Sequence, residues 1–105
     1  MIYAVIREKR PETEPDADAS LYHFNTWEDM NRETFSPDLE ILVAWKAGRF
    51  YGKNKSRARA ALEYLSRAAS APGLSWYEYH LITAHAENVA RRAGLLREAR
   101  ENGII

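Results

Sequence analysis

Cysteine is absent from this chain of 105 residues. That excludes disulfides and thiolate zinc sites, and it leaves a reducing cytoplasm as the expected compartment. Long apolar runs are lacking too. No stretch approaches membrane-spanning length, and Met1 to Ile6 is too short for a signal peptide, with charges following at once. The expectation is a soluble cytoplasmic protein with no membrane partner. Glycine and proline stay at ordinary levels, five and four, and 46% of the residues are apolar. Such a composition belongs to globular rather than disordered chains. At this length a single domain over 1–105 is expected, with one core and no second one.

Motifs that announce chemistry are missing as well. No serine stands in a GxSxG context. His80 and His85 are five residues apart, which turns them about 140° from one another on a helix. The HExxH spacing is absent. His80 and Glu87 share a helical face but sit two turns apart, too far for one ion. Gly48-Arg-Phe-Tyr-Gly52 matches no phosphate-binding loop. Carboxylates cluster at Glu28, Asp29, Glu33, Asp38 and Glu40, where a small hydrolase could in principle assemble an acid-base pair. Each of them has a helix-start or solvation role instead. The expectation is therefore no catalysis, no metal, no cofactor and no small-molecule substrate.

Net charge is zero, but the zero is a cancellation. Residues 1–45 hold four basic and ten acidic side chains, and residues 46–105 hold eleven basic and five acidic. Halves of −6 and +6 either attract one another within the fold or offer interaction surfaces.

In chain order, Ile2 to Ile6 has the β-branched and aromatic character of a strand. Residues 10–20 carry two prolines and four acids and predict a mobile loop. Leu21 to Phe24 can pair with the first strand as a two-stranded sheet, which needs helices over one face. Thr26 caps a short helix that Met30 and Phe35 would hold on the core. Ser36-Pro37-Asp38-Leu39-Glu40 reads as a helix start, with a capping serine, proline at the first position and two acids in the first turn. Leu39, Leu42, Val43, Ala47 and Phe50 then follow helical spacing, and Gly48 is the stop. The rival reading makes Leu39 to Trp45 a strand with a hairpin turn over Lys46 to Arg49. A second main helix begins at Asn54 or Ser56 and buries Ala58, Ala61, Leu62, Leu65 and Ala69. A third opens on a capping box, Ser75 with Glu78, flanked by a Leu74–Tyr79 staple. It buries Tyr79, Ile82, Ala86, Val89, Ala90 and Ala93, and stops at Gly94. Leu95 to Asn102 adds a short last helix.

The expected fold class is α+β. A small N-terminal β-hairpin packs on a bundle of three main helices plus one or two short ones. Within it, 1–25 form strand, acidic loop and strand, 26–71 the helical segments with a basic loop, and 72–105 the C-terminal helices.

Two surfaces stand out. Lys46, Arg49, Lys53, Lys55, Arg57 and Arg59 run without an intervening acid and interleave Phe50 and Tyr51. Cations neutralise phosphates, aromatic rings stack on exposed bases, and a helix N-terminus offers free amides. The loop is too long for a standard helix-turn-helix. The first functional expectation is a small regulatory or accessory binding module that contacts nucleic acid through Lys46 to Arg59. The second surface comprises Trp45, Trp76, Tyr77 and His80, of the kind enriched at protein interfaces. The alternative function is thus a protein-interaction or inhibitor module, acting on a partner protein or on itself. It would use the aromatic face around Trp76 and the acidic segment Glu28 to Glu40.

Overall fold

A computed structural model of the chain describes residues 1–8, 19–52 and 54–105. The fold is α+β, and the described residues form a four-stranded antiparallel sheet and four helices. The elements are β1 (Ile2–Glu8), β2 (Ala19–Phe24), α1 (Trp27–Glu33), β3 (Leu39–Lys46), β4 (Arg49–Tyr51), α2 (Lys55–Ala69), α3 (Trp76–Arg92) and α4 (Leu96–Glu101). Two compact units divide the chain, Met1–Tyr51 and Gly52–Ile105.

In the first unit the sheet order is β2-β1-β3-β4. The expected pairing of the first two strands is present, Ile2 opposite Phe24 through Arg7 opposite Ala19. Most of the acidic loop expected over residues 10–20 lies outside the described residues, and Ala19 and Ser20 already belong to β2. β1 is central, with β3 on its other side.

Leu39 to Trp45 is strand, not the first helix of a three-helix bundle, so the hairpin becomes a four-stranded sheet. The start signals are real but serve a turn. The Leu39 amide donates to the Ser36 carbonyl at 3.2 Å, and the Asp38 amide donates to the Ser36 hydroxyl, also at 3.2 Å. Proline at the second position and serine at the first suit a β-turn as well as they suit a helix cap. The helix-like spacing has its own cause. Val5 pairs with Val43 while Ile6 pairs with Ile41, so Leu42 is an extra residue, a β-bulge. The inserted residue breaks the alternation of the strand. Leu39 and Ile41 join the face of Ala44, and Val43 and Trp45 take the other. Gly48 does adopt positive φ, +80°, but in the Ala47-Gly48 turn that brings Lys46 opposite Arg49.

The core on one face of this sheet holds Ile2, Ala4, Ile6, Phe24, Ala44 and Met30 of α1, with Trp27, Leu39 and Ile41 packed against it. Met30 is where the sequence predicts it. Phe35 is not; it is 91% exposed. On the opposite face Tyr3 stacks on Trp45 at 5.7 Å and Val5 opposes Val43. There Arg7 Nε also pairs with Glu40 Oε2 at 3.0 Å.

In the second unit α2 starts at Asn54, whose side chain accepts the Arg57 amide at 3.1 Å. Ala58, Ala61, Leu62 and Leu65 are buried as the periodicity predicts. α3 starts at Ser75, whose hydroxyl accepts the Glu78 amide at 3.1 Å, and packs along α2. Its buried residues are His85, Ala86, Val89 and Ala90. Gly94 at φ +75° ends it, with the Leu95 amide donating to the Ala90 carbonyl at 2.8 Å in a Schellman closure. Leu95 and Ala99 then bury α4.

Burial holds the His85 imidazole below its ordinary value. The unfolded chain takes up this proton near pH 6.5, whereas the folded chain resists it until the pH is lower. Stability is therefore complete above that pH and declines as the pH falls through it, by at most about 1.4 kcal/mol per pH unit. Urea unfolding between about pH 5 and 7 should show this slope, and a His85→Leu variant should flatten it. An unchanged slope in that variant would assign the effect elsewhere.

Candidate functional site

The basic segment is divided between the units. Lys46, Arg49, Phe50 and Tyr51 belong to the β3–β4 hairpin of the first, and Lys55, Arg57 and Arg59 to α2 of the second. Lys53 lies outside the described residues. Lys46 and Arg49 oppose one another at the hairpin end. Phe50 is half-buried opposite Trp45, and the exposed Tyr51 ring meets the Trp27 ring edge-on at 5.0 Å. The two aromatics of this segment are therefore engaged with the first unit's own tryptophans.

On α2, the capping Asn54 fixes the first turn, and Lys55 and Arg57 are exposed there with no acid in the turn. Arg59 is committed. Its Nε donates to Glu98 Oε1 at 2.7 Å and its Nη2 to Oε2 at 3.1 Å, a two-pronged pair between α2 and α4. Arg59 in turn holds the Glu98 carboxyl below its ordinary value, chiefly by hydrogen bonding. The pair borders a cleft of about 50 Å³ floored by Leu62, Leu95 and Ala99. That volume suits a water molecule or two rather than a ligand.

The acidic segment is likewise partly spent within the first unit. Glu28 and Asp29 stand in the first turn of α1, Asp29 lies 3.7 Å from Arg32, and Glu40 pairs with Arg7. Among the described residues no three His, Asp or Glu side chains converge into a metal site. Among the described residues no helix is long and apolar enough to cross a membrane.

The aromatic candidates separate sharply. Trp45 is buried, 5% exposed, in β3 of the first unit, and so offers no exposed ring. Trp76, Tyr77 and His80 are brought together on the first two turns of α3 and are all exposed, Trp76 by 77% and Tyr77 by 69%. The Trp76 and His80 rings meet edge-on at 4.2 Å, and the Tyr79 and His80 rings at 5.6 Å. Two members of this surface escape the sequence reading. The helical spacing predicts Tyr79 on the buried stripe, but its ring is exposed, and so is Leu81. A signal was there: apolar or aromatic residues at 76, 77, 79 and 81 surround the helix, too broadly for one buried stripe.

The fold class is thus α+β, and the candidate residues that come together lie on an exposed helix face rather than in a cavity. No known protein family, curated protein or solved structure matches the chain.

The three tryptophans differ enough in burial to test this surface. A Trp76→Phe variant should lose the most acrylamide-quenchable emission, leaving that of buried Trp45 and half-buried Trp27. If quenching were undiminished, the first turn of α3 would have to be covered.

Proposed function

We propose that this chain is a small non-catalytic protein-interaction module, regulatory or accessory in role, whose working surface is the outer face of the first two turns of α3. One observation carries the reading. Every residue from Ser75 to Leu81 is exposed, and the run contains Trp76, Tyr77, Tyr79 and Leu81. Single exposed apolar residues are ordinary on any protein. A contiguous group of large rings is not, because tryptophan and tyrosine dominate the energetics of protein interfaces. The group is also ordered in advance. The Ser75 cap fixes the helix start and Trp76 rests against His80, so little side-chain freedom is lost on binding.

A site-specific photo-crosslinker in place of Tyr77, in cells that make the protein, should give a discrete protein adduct. The same group at exposed Arg67 of α2 should not. No adduct at position 77, or equal adducts at both positions, would overturn the reading.

A second reading, contact with nucleic acid, is supported by Lys55 and Arg57 in the acid-free first turn of α2. It is weakened by the commitment of Arg59 to Glu98. The reading makes a directional prediction. Binding to mixed DNA and RNA should fall steeply with salt and in a Lys55→Ala/Arg57→Ala variant, and rise in Glu98→Gln, which releases Arg59. Absence of binding even at low salt would remove it.

A further inference from the structure

We infer that the protein bound by the outer face of α3 is a second copy of this chain, met through a two-fold, antiparallel α3–α3 contact. The inference rests on the reading of that face as a protein-binding surface.

The shape of the stripe is the first argument. Trp76, Tyr77, His80, Leu81 and Ala84 stand at i, i+1, i+4, i+5 and i+8, and all five are exposed. At about 100° per residue they fill one continuous band opposite the buried residues of α3. The band is graded, with large rings in the first turn and a methyl group two turns later. A second copy laid antiparallel sets the rings of each helix over the Ala84 of the other, and brings the two Leu81 side chains together near the axis. A parallel copy would oppose ring to ring at one end and leave a gap at the other. Closed two-fold contacts need this kind of self-complementarity. Antiparallel helices also oppose their dipoles.

Charge is the second argument. Between residues 76 and 84 the sole charged residue is Glu78, about 200° from Trp76 and outside the band. Beyond it, Glu87 and Arg91 neutralise one another at 2.9 Å. Homodimer interfaces are the apolar, charge-depleted ones. A nucleic acid or an anionic lipid surface would call for cations along the band or at its flanks.

Area is the third. On the band, Trp76, Tyr77 and Leu81 are 77%, 69% and 40% exposed. With aromatic side chains of about 150–250 Å² each, these three offer roughly 400 Å² per copy, before the exposed His80 and Ala84 are added. A pair would then bury about 800 Å² or somewhat more in total, the size of a weak, transient contact. The dimer should accordingly be concentration-dependent rather than permanent.

Sedimentation equilibrium from low-micromolar to several-hundred-micromolar protein tests this. The mass should climb from 12.1 kDa toward twice that value, and Leu81→Glu should hold it at the monomer mass while circular dichroism stays unchanged. The cysteine-free chain allows a second measurement that does not depend on affinity. Leu81→Cys should oxidise to a covalent dimer, whereas Arg67→Cys should not. A monomer at all concentrations with no Leu81→Cys dimer overturns the inference, as does a dimer indifferent to Leu81→Glu. The broader reading fails separately. A Tyr77 adduct to a different protein would remove the second copy but keep the interaction module, and no adduct at all would remove both.

Discussion

The one residue in excess between β1 and β3 sets the organisation of the first unit. With the bulge at Leu42, Ile41 and Ala44 turn toward Met30 and Phe24, while Val43 and Trp45 turn to the other face. Since side chains alternate along a strand, pairing Leu42 in regular register instead of bulging it out would reverse every later position of β3. Trp45 would then leave Tyr3, and Ala44 would leave the core. The Ala47-Gly48 turn and β4 follow from that phase, because Phe50 registers against Trp45 and carries Tyr51 to Trp27.

The second unit depends on end-chemistry more than on a large core. Its buried positions are rich in alanine: Ala58 and Ala61 on α2, Ala86 and Ala90 on α3, and Ala99 on α4. Alanines contribute little apolar area each but allow close approach of helix backbones. Short helices gain little from propensity alone, so the caps matter. Asn54, Ser75 and the Gly94 closure each satisfy backbone groups that would otherwise be left without partners. The Arg59–Glu98 pair lies on an exposed surface where screening is strong, so its value is more in fixing α4 beside α2 than in net stability.

How much of this is legible in the sequence follows from which signals are local. The strand over Ile2 to Ile6, the caps at Thr26 and Ser75, the burial of Ala58, Ala61, Leu62 and Leu65 on α2 and of Ala86, Val89 and Ala90 on α3, and the stop at Gly94 are all written in neighbouring residues, and the structure contains each of them. Leu39 to Trp45 was not legible for a non-local reason. A bulge is a property of two paired strands, and inside one strand it leaves an apolar run whose spacing imitates a helix. Ser36-Pro37 and Gly48 made matters worse, because the residues that cap helices also make turns. The candidate sites suffered likewise. The commitment of Arg59 to a residue 39 positions away, and the burial of Trp45 in a strand, cannot be seen in a charge run or an aromatic count.

α3 is one helix in backbone, but its two halves differ in burial. Its second half is anchored: His85, Ala86, Val89 and Ala90 are buried, and the Gly94 closure ends it. Its first half has no comparable anchor, since every side chain from Trp76 to Leu81 is exposed. What keeps that half helical is the Ser75 cap and continuity with the anchored turns, for which propagation costs little once the nucleus exists. Solvent-facing helix turns are ordinarily filled with glutamate, lysine or alanine, which are better helix formers than tryptophan or tyrosine. Burying a large side chain contributes roughly 1.5–3 kcal/mol, so leaving Trp76 and Tyr77 in water forgoes a sizeable stabilisation. That a helix gives up both propensity and burial on the same two capped turns is what supports the proposal of a contact made outside its own fold.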